Sequence, residues 1–237
     1  MIEYNIMNHY TRNVVLMVKK MQSLNRDVKV NTDTTDYYQT RDDNRYKGVN
    51  DNFFGIMSNK TNSKWKVLFH DDIKIDKKLI GNIEHVLKNA PNVFSITFYN
   101  PTNSIYLKAY ARGHNVLKNY NHLWAQCSAW NTSMLPNMID WVKKNTHPTI
   151  GAEDVKVQQY CCINKIAKYA IIPSFTKHEG YAESVFKNPA VVGKNIRNTS
   201  TYEDNFNAKD VNWKKAFKLC GQDNTKTYYK EGLLCIN

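Results

Sequence analysis

Two hydrophobic rhythms alternate along the first half of this chain. In "IEYNIMNHY", residues 2–10, β-branched and aromatic residues alternate with polar ones as they do in a strand. From Thr11 the spacing changes. Val14, Val15, Val18 and Met21 recur at helical intervals, predicting a helix from an N-cap at Thr11 to about Leu24. "VKVNT" predicts a second strand that closes in the polar cluster "DTTDYYQTRDDN". "YKGVNDNFFGIMSNK" suits a short helix, and "WKVLF" a buried strand with His70, Asp71 and Asp72 at its C-terminal end.

The alternation continues further along. "KKLIGNIEHVLKN" spaces Leu79, Ile83, Val86 and Leu87 as an amphipathic helix. "NVFSITFYN" returns to strand, and "SIYLKAYA" and "HLWAQCSAW" are expected as shorter strands. "LPNMIDWVKK" opens a helix with Pro136 in its first turn. "GAEDVKVQQYCCINK" predicts another, and "YAIIP" a last core strand. Beyond Pro189 the chain is polar and rich in asparagine, with one predicted helix from Trp213 to Leu219. Strands alternating with helices predict an α/β fold, a mixed central sheet flanked by helices in a single domain. Residues 1–188 are expected to form its main body, with 189–237 an extension packed on it.

Composition narrows the class. The 42% hydrophobic and 23% charged fractions of these 237 residues suit a folded globular chain. No apolar run is long enough for a bilayer, and "MIEYNIMNHY" lacks a signal-peptide core, so no membrane span and a cytoplasmic setting are expected. The cysteines at 127, 161, 162, 220 and 235 are odd in number and form no CxxC pair, which argues for reduced thiols over a disulfide framework.

Charge adds a partner class. A net charge of +12 favours polyanions such as nucleic acid, nucleotides or a membrane surface. No acidic residue occurs between Glu84 and Asp140, a stretch holding Lys88, Lys108, Arg112 and Lys118 interleaved with Tyr106, Tyr110 and Tyr120. It reads either as a solvated basic face over packing tyrosines or as a groove for an anionic substrate.

The candidate chemistry lies at element ends. There is no GxxxxGK[ST] or GxGxxG motif, so no glycine-rich loop holds phosphate. Asp71 and Asp72 offer the oxygen ligands that Mg²⁺ or Mn²⁺ prefers, and equally could close a strand in a solvated turn. Ligands of α/β sheets bind beyond the carboxyl ends of the strands, where this pair falls. Glu153 and Asp154 open a helix, where they could serve as a general base or offset the helix dipole. In "IIPSFTKHEGY", His178 is either an exposed loop histidine or the nitrogen ligand of a mixed shell that suits Mn²⁺.

Read in order, the acidic pair, "SITFYN", "AWNTSMLPNMIDWV", "EDVKVQQY" and "PSFTKHEGY" resemble the GT-A fold glycosyltransferases over residues 2–186. They are particularly similar to the small metal-dependent enzymes of bacteriophages and large DNA viruses. The resemblance implies a GT-A-like, Rossmann-like fold, a nucleotide-sugar donor with a UDP-sugar expected, and Mn²⁺ or Mg²⁺. Carried over residue by residue, Asp72 and His178 become the metal ligands, while Asp71 holds the ribose or diphosphate. Asp154, or else Glu153, deprotonates the acceptor. Asn8, Tyr10, Arg12 and Asp33 cradle the base and ribose, and Lys47 reaches the phosphates. Trp130 stacks on the sugar or belongs to the core, and Arg112 and Lys108 lie toward the acceptor. The sequence departs from the family at His70, which stands first in the acidic motif.

These implications predict metal-dependent sugar transfer to an acceptor hydroxyl with inversion, in the host cytoplasm if the chain is viral. The acceptor is expected to be a hydroxymethylated base in DNA, with a glycan or glycoprotein as the alternative. A metal-dependent phosphohydrolase or nuclease built on "HDD" is a second reading. It is disfavoured because such hydrolases gather their ligands from helices with more histidines at set spacings. A non-catalytic DNA-binding or virion protein is the third.

Overall fold

The computed structural model describes residues 1–34, 46–101, 104–119, 126–149, 151–177, 199 and 201–223. In chain order these residues form β1 (Ile2–His9), α1 (Val15–Ser23), β2 (Val28–Asp33), α2 (Lys47–Ser58), β3 (Trp65–His70), α3 (Lys77–Asn89) and β4 (Ser95–Thr97). They continue as α4 (Ser104–Ala111), β5 (Val116–Asn119), β6 (Cys127–Asn131), α5 (Leu135–Asn145), α6 (Glu153–Ile163), β7 (Lys168–Ile171) and α7 (Trp213–Asp223). The strands make one mixed seven-stranded sheet in the order β2-β1-β3-β6-β4-β7-β5. β2, β1 and β3 pair in parallel, β6 runs antiparallel between β3 and β4, β7 is parallel to β4, and β5 is an antiparallel edge. The carboxyl ends of β1, β2, β3, β4 and β7 therefore share one edge of the sheet.

Side chains alternate across the pleat, and so divide the core into two layers. Tyr4, Ile6, Val67, Phe69 and Ile96 face the apolar stripes of α1, α3 and α7. Met7, Leu68 and Trp130 face α2, α5 and α6. The amphipathic spacing of α3 is realised: Leu79, Ile83, Val86 and Leu87 are all buried, and Asp76 caps the helix by accepting from the Leu79 N–H at 2.7 Å. The described part of the tail joins the same core. Trp213 and Phe217 of α7 pack near Phe175 and Tyr169, and the Trp213 Nε1–H donates to the Ala208 carbonyl at 2.7 Å.

Two expectations are corrected. "SIYLKAYA" is the helix α4, because a helix puts Tyr106 and Ala109 together on Leu117, Ala170 and Ile172; a short apolar run fits either period until its partners are known. The edge strand next to it is "VLKN", which has too few alternations to announce itself. α1 begins at Val15 rather than after Thr11, since the hydroxyl of Thr11 is taken by His9 Nδ1 at 2.7 Å. Arg12 turns toward β3 instead of entering the helix. Among the described residues no helix is long and apolar enough to cross a membrane. Cys127, Cys161, Cys162 and Cys220 form no disulfide among the described residues.

Candidate functional site

The parallel strands β1, β2 and β3 end together, and the residues just past them converge. Asp71 follows β3, and its Oδ2 accepts the His9 N–H at 2.8 Å, pinning the end of β1 to the end of β3. Arg12, on the loop after β1, reaches across with one guanidinium nitrogen, Nη1. That nitrogen pairs with Asp71 Oδ1 and lies 3.2 Å from Asp72 Oδ2. All three side chains are nearly buried, at 10% exposure for Arg12 and 7% for each aspartate. Burial opposes the charge on Arg12, but the two carboxylates outweigh it and hold its pKa above the ordinary value.

The first loop is also tied to β2. The Tyr10 N–H donates to the Asp33 carbonyl at 2.9 Å, and the Tyr10 ring leans on His9 with centroids 4.7 Å apart. Asp33 is buried, whereas Tyr10 is well exposed. Asn8, the last but one residue of β1, is 7% exposed and reaches Thr32 Oγ1 at 3.5 Å through its amide nitrogen. Its Oδ1 has no hydrogen-bond partner among the described residues. A buried acceptor left open at the rim of a sheet is the kind of atom that a ligand N–H or O–H satisfies.

Helix α2 frames the site from the other face. Asn52, which sequence reasoning did not single out, donates to the Asn8 and Asn31 carbonyls at 3.2 and 3.0 Å and so spans the ends of β1 and β2. Asn50 donates to the Pro148 and Gly151 carbonyls at 3.2 and 3.0 Å, tying the same helix to the turn that opens α6. Gly151 has φ +77, a backbone state open to glycine, and this lets the turn enter the helix. The signal for both asparagines was their polarity on the inward face of an otherwise apolar helix. Lys47, in the first turn of α2, bonds Asp51 one turn on at 2.6 Å.

α6 leads into β7 through a short turn, so it runs antiparallel to that strand and starts on the carboxyl-end edge. Glu153 is 6% exposed, with its Oε2 unpartnered among the described residues. Burial, reinforced by the charge of Asp154, pushes its pKa up to about 8. Burial raises Asp154 to about 6, offset in part by the Val155 N–H that its Oδ1 accepts at 2.7 Å and by the nearby Lys168. Lys168 is buried on β7, which lowers its own pKa.

Other expected members stand elsewhere. Trp130 is 4% exposed between Phe53 and Phe94, with ring centroids at 5.5 and 5.6 Å, and its indole N–H donates to Ser128 at 2.8 Å. It is a core aromatic and presents no face to a sugar. Lys108 is exposed on α4 and Arg112 just after it, and α4 packs on β5 and β7. From β3 to β7 is three strand spacings, about 14 Å. Lys88 lies on α3 across the sheet, and Tyr106 is buried, so the acid-free stretch does not line a single groove. His178 and Tyr120 lie outside the described residues.

The acidic pair has the hard oxygen donors that a divalent cation takes. Arg12 already holds both carboxylates, and no group of three His, Cys, Asp or Glu side chains gathers among the described residues. The second ligand that the resemblance implies, His178, lies outside the described residues.

No protein-family model matches the chain, and no curated protein matches it. Among solved structures it is similar to the crystal structure of A197 from STIV, at 12% identity and a TM-score of 0.41, over 76% of this chain and 86% of that one. A likeness that slight carries no argument about function.

Proposed function

We propose that the chain is a glycosyltransferase that takes its sugar from a nucleotide-sugar donor bound at the carboxyl edge of β1, β2 and β3. The observation that carries this reading is the convergence there of buried Asn8, with its open acceptor oxygen, and the Arg12–Asp71–Asp72 cluster. A uracil or ribose offers N–H and O–H donors to Asn8 and Asp33, and the exposed Tyr10 ring offers a face on which a base stacks. The guanidinium of Arg12 is a planar fork suited to phosphate oxygens and is held in place by the two aspartates.

The acceptor hydroxyl needs a base. At neutral pH a carboxyl with a pKa of about 6 is mostly ionised, and one at about 8 is mostly protonated. Asp154 is therefore the base, and the protonated Glu153 beside it is a neutral neighbour. Removal of the acceptor proton on the side opposite the departing diphosphate gives inversion at the anomeric carbon.

A thermal-shift panel of UDP, GDP, ADP and their sugars, run with Mn²⁺ and with chelator, tests this reading. One nucleotide should stabilise the chain by about 2.7 kcal/mol at a hundred times its dissociation constant. The stabilisation should disappear in Asn8→Ala. If no nucleotide shifts the melting temperature under either condition, the proposal is lost. Stabilisation that depends on Mn²⁺ would return Asp72 to the ligand role expected from the sequence.

A further inference from the structure

The helices on the two faces of the sheet differ in charge. α1, α3 and α7, which cover one face of the sheet, carry eight lysines against two acids, Glu84 and Asp223. Glu84 is engaged by Arg26 at 2.6 Å. α2, α5 and α6, on the opposite face, carry four lysines against four acids and are neutral. All eight lysines of the first layer are exposed, and none forms an ion pair with another described residue. Asp27, Asp76, Asp204 and Asp210 stand in segments that connect to this layer rather than on its helices.

Two of the helices repeat one outward pattern. On α1, Met21 points into the core, while Leu16 at 79% exposure stands on the outer face with Lys19 and Lys20. On α7, Trp213, Phe217 and Cys220 point inward, while Leu219 at 52% exposure stands outward with Lys215 and Lys218. Val15 extends the apolar tip of α1 at 51% exposure. α3 runs between these helices: its Glu84 meets Arg26 just after α1, and its apolar side shares a core with Trp213 and Phe217. None of the three helices contains an arginine or an exposed aromatic side chain.

We propose that this face docks on an anionic lipid surface. Three helices lying side by side make a broad layer suited to a flat partner. Lysines whose stems lie along apolar neighbours hold their ammonium groups at headgroup depth. Nucleic acid would use the lysines, but it gives the outward leucines nothing to enter, and the helices have no arginine fork or aromatic platform to read or stack bases. A lysine near an anionic bilayer surface contributes about a fivefold change in partitioning, and the effect is screened by salt. Leu16 and Leu219 add the second, apolar signal that stable attachment needs.

Co-sedimentation of the full chain with vesicles tests the proposal. It should pellet with mixed phosphatidylcholine–phosphatidylserine vesicles and stay in solution with phosphatidylcholine alone, and added salt should release it. Replacing Lys19, Lys20, Lys215 and Lys218 with alanine should weaken binding more than a hundredfold, while Lys143→Ala with Lys144→Ala on α5 should leave it unchanged. Leu16→Ser with Leu219→Ser should weaken vesicle binding about tenfold without altering any retention on duplex DNA. All these side chains are exposed, and circular dichroism melts of each variant confirm that it folds. No pelleting with either vesicle overturns the proposal. So does binding to DNA in preference to the anionic vesicles, at equal salt, with indifference to the leucine pair. These outcomes concern the helix face alone and leave nucleotide binding at the strand ends to its own assay.

Discussion

One guanidinium nitrogen of Arg12 stands between two successive carboxylates, pairing with Asp71 and lying 3.2 Å from Asp72. The loop after β1 is thus fastened to the end of β3 by a nearly buried ion triad. Truncating the cation would leave two carboxylates close together with little water, and breaking such a cluster costs about 3–5 kcal/mol. Arg12→Ala should lower the unfolding free energy by that amount, read as a lower urea midpoint with an unchanged slope. An unchanged midpoint would show that the triad does not hold the loop.

As the proposed base, Asp154 should set an acid limit on sugar transfer. A base with a pKa of about 6 must lose its proton to act, so kcat/KM should rise about tenfold per pH unit below 6 and level off above it. Asp154→Asn should cost at least about a hundredfold in rate at pH 7 while leaving donor affinity intact. NMR of the product should show an inverted anomeric configuration. A retained linkage would remove Asp154 from this role.

Glu153 makes stability fall as pH rises. Its folded pKa is raised from 4.5 to about 8, so the folded state holds a proton that the unfolded chain releases. The advantage of that proton is complete below pH 4.5 and is lost as pH climbs through about 8. One fully linked proton is worth about 1.4 kcal/mol per pH unit inside that window. Glu153→Gln should flatten the decline, so that the variant gains on the wild type as pH rises. Parallel denaturation curves from pH 5 to 8 would count against a buried carboxyl there.

Trp130 and Asn52 separate core from site. Trp130→Ala empties a filled aromatic cluster and should cost about 3–5 kcal/mol. Trp130→Phe should keep donor affinity, where a sugar-stacking residue would lose it. Asn52→Ala leaves the Asn8 and Asn31 carbonyls short of a donor and should cost about 1–3 kcal/mol. Because it loosens the frame around Asn8, it should also weaken nucleotide binding, measurable as a reduced thermal shift.

Most of the sheet and the helices around it could be read in advance, and the particulars show why. Leu79, Ile83, Val86 and Leu87 repeat at a period that a helix places on one side, and "WKVLF" is a short, largely apolar run closed by His70, Asp71 and Asp72, as an interior strand is. "SIYLKAYA" misled because eight residues satisfy both periods about equally, and its partners Leu117 and Ala170 lie elsewhere in the chain. In the site, the placement of Asn8, Arg12, Asp33 and Asp71 at or just past the ends of neighbouring strands could be anticipated, since a parallel sheet brings such ends together. That Trp130 faces inward follows from the pleat register of β6 against β3, which residue types do not fix.

By itself the sequence determined the local periods, the polar breaks that end each strand and the charge carried by each helix, because these depend on neighbours a few positions apart. Only the tertiary structure decided that Arg12 meets two aspartates about sixty residues away in the chain. It also decided that Asn50 joins α2 to the turn before α6, and that Glu153 loses its water. Contacts of that range are chosen by which strands pair and which faces pack. Burial, pKa and salt-bridge partners are consequences of that choice.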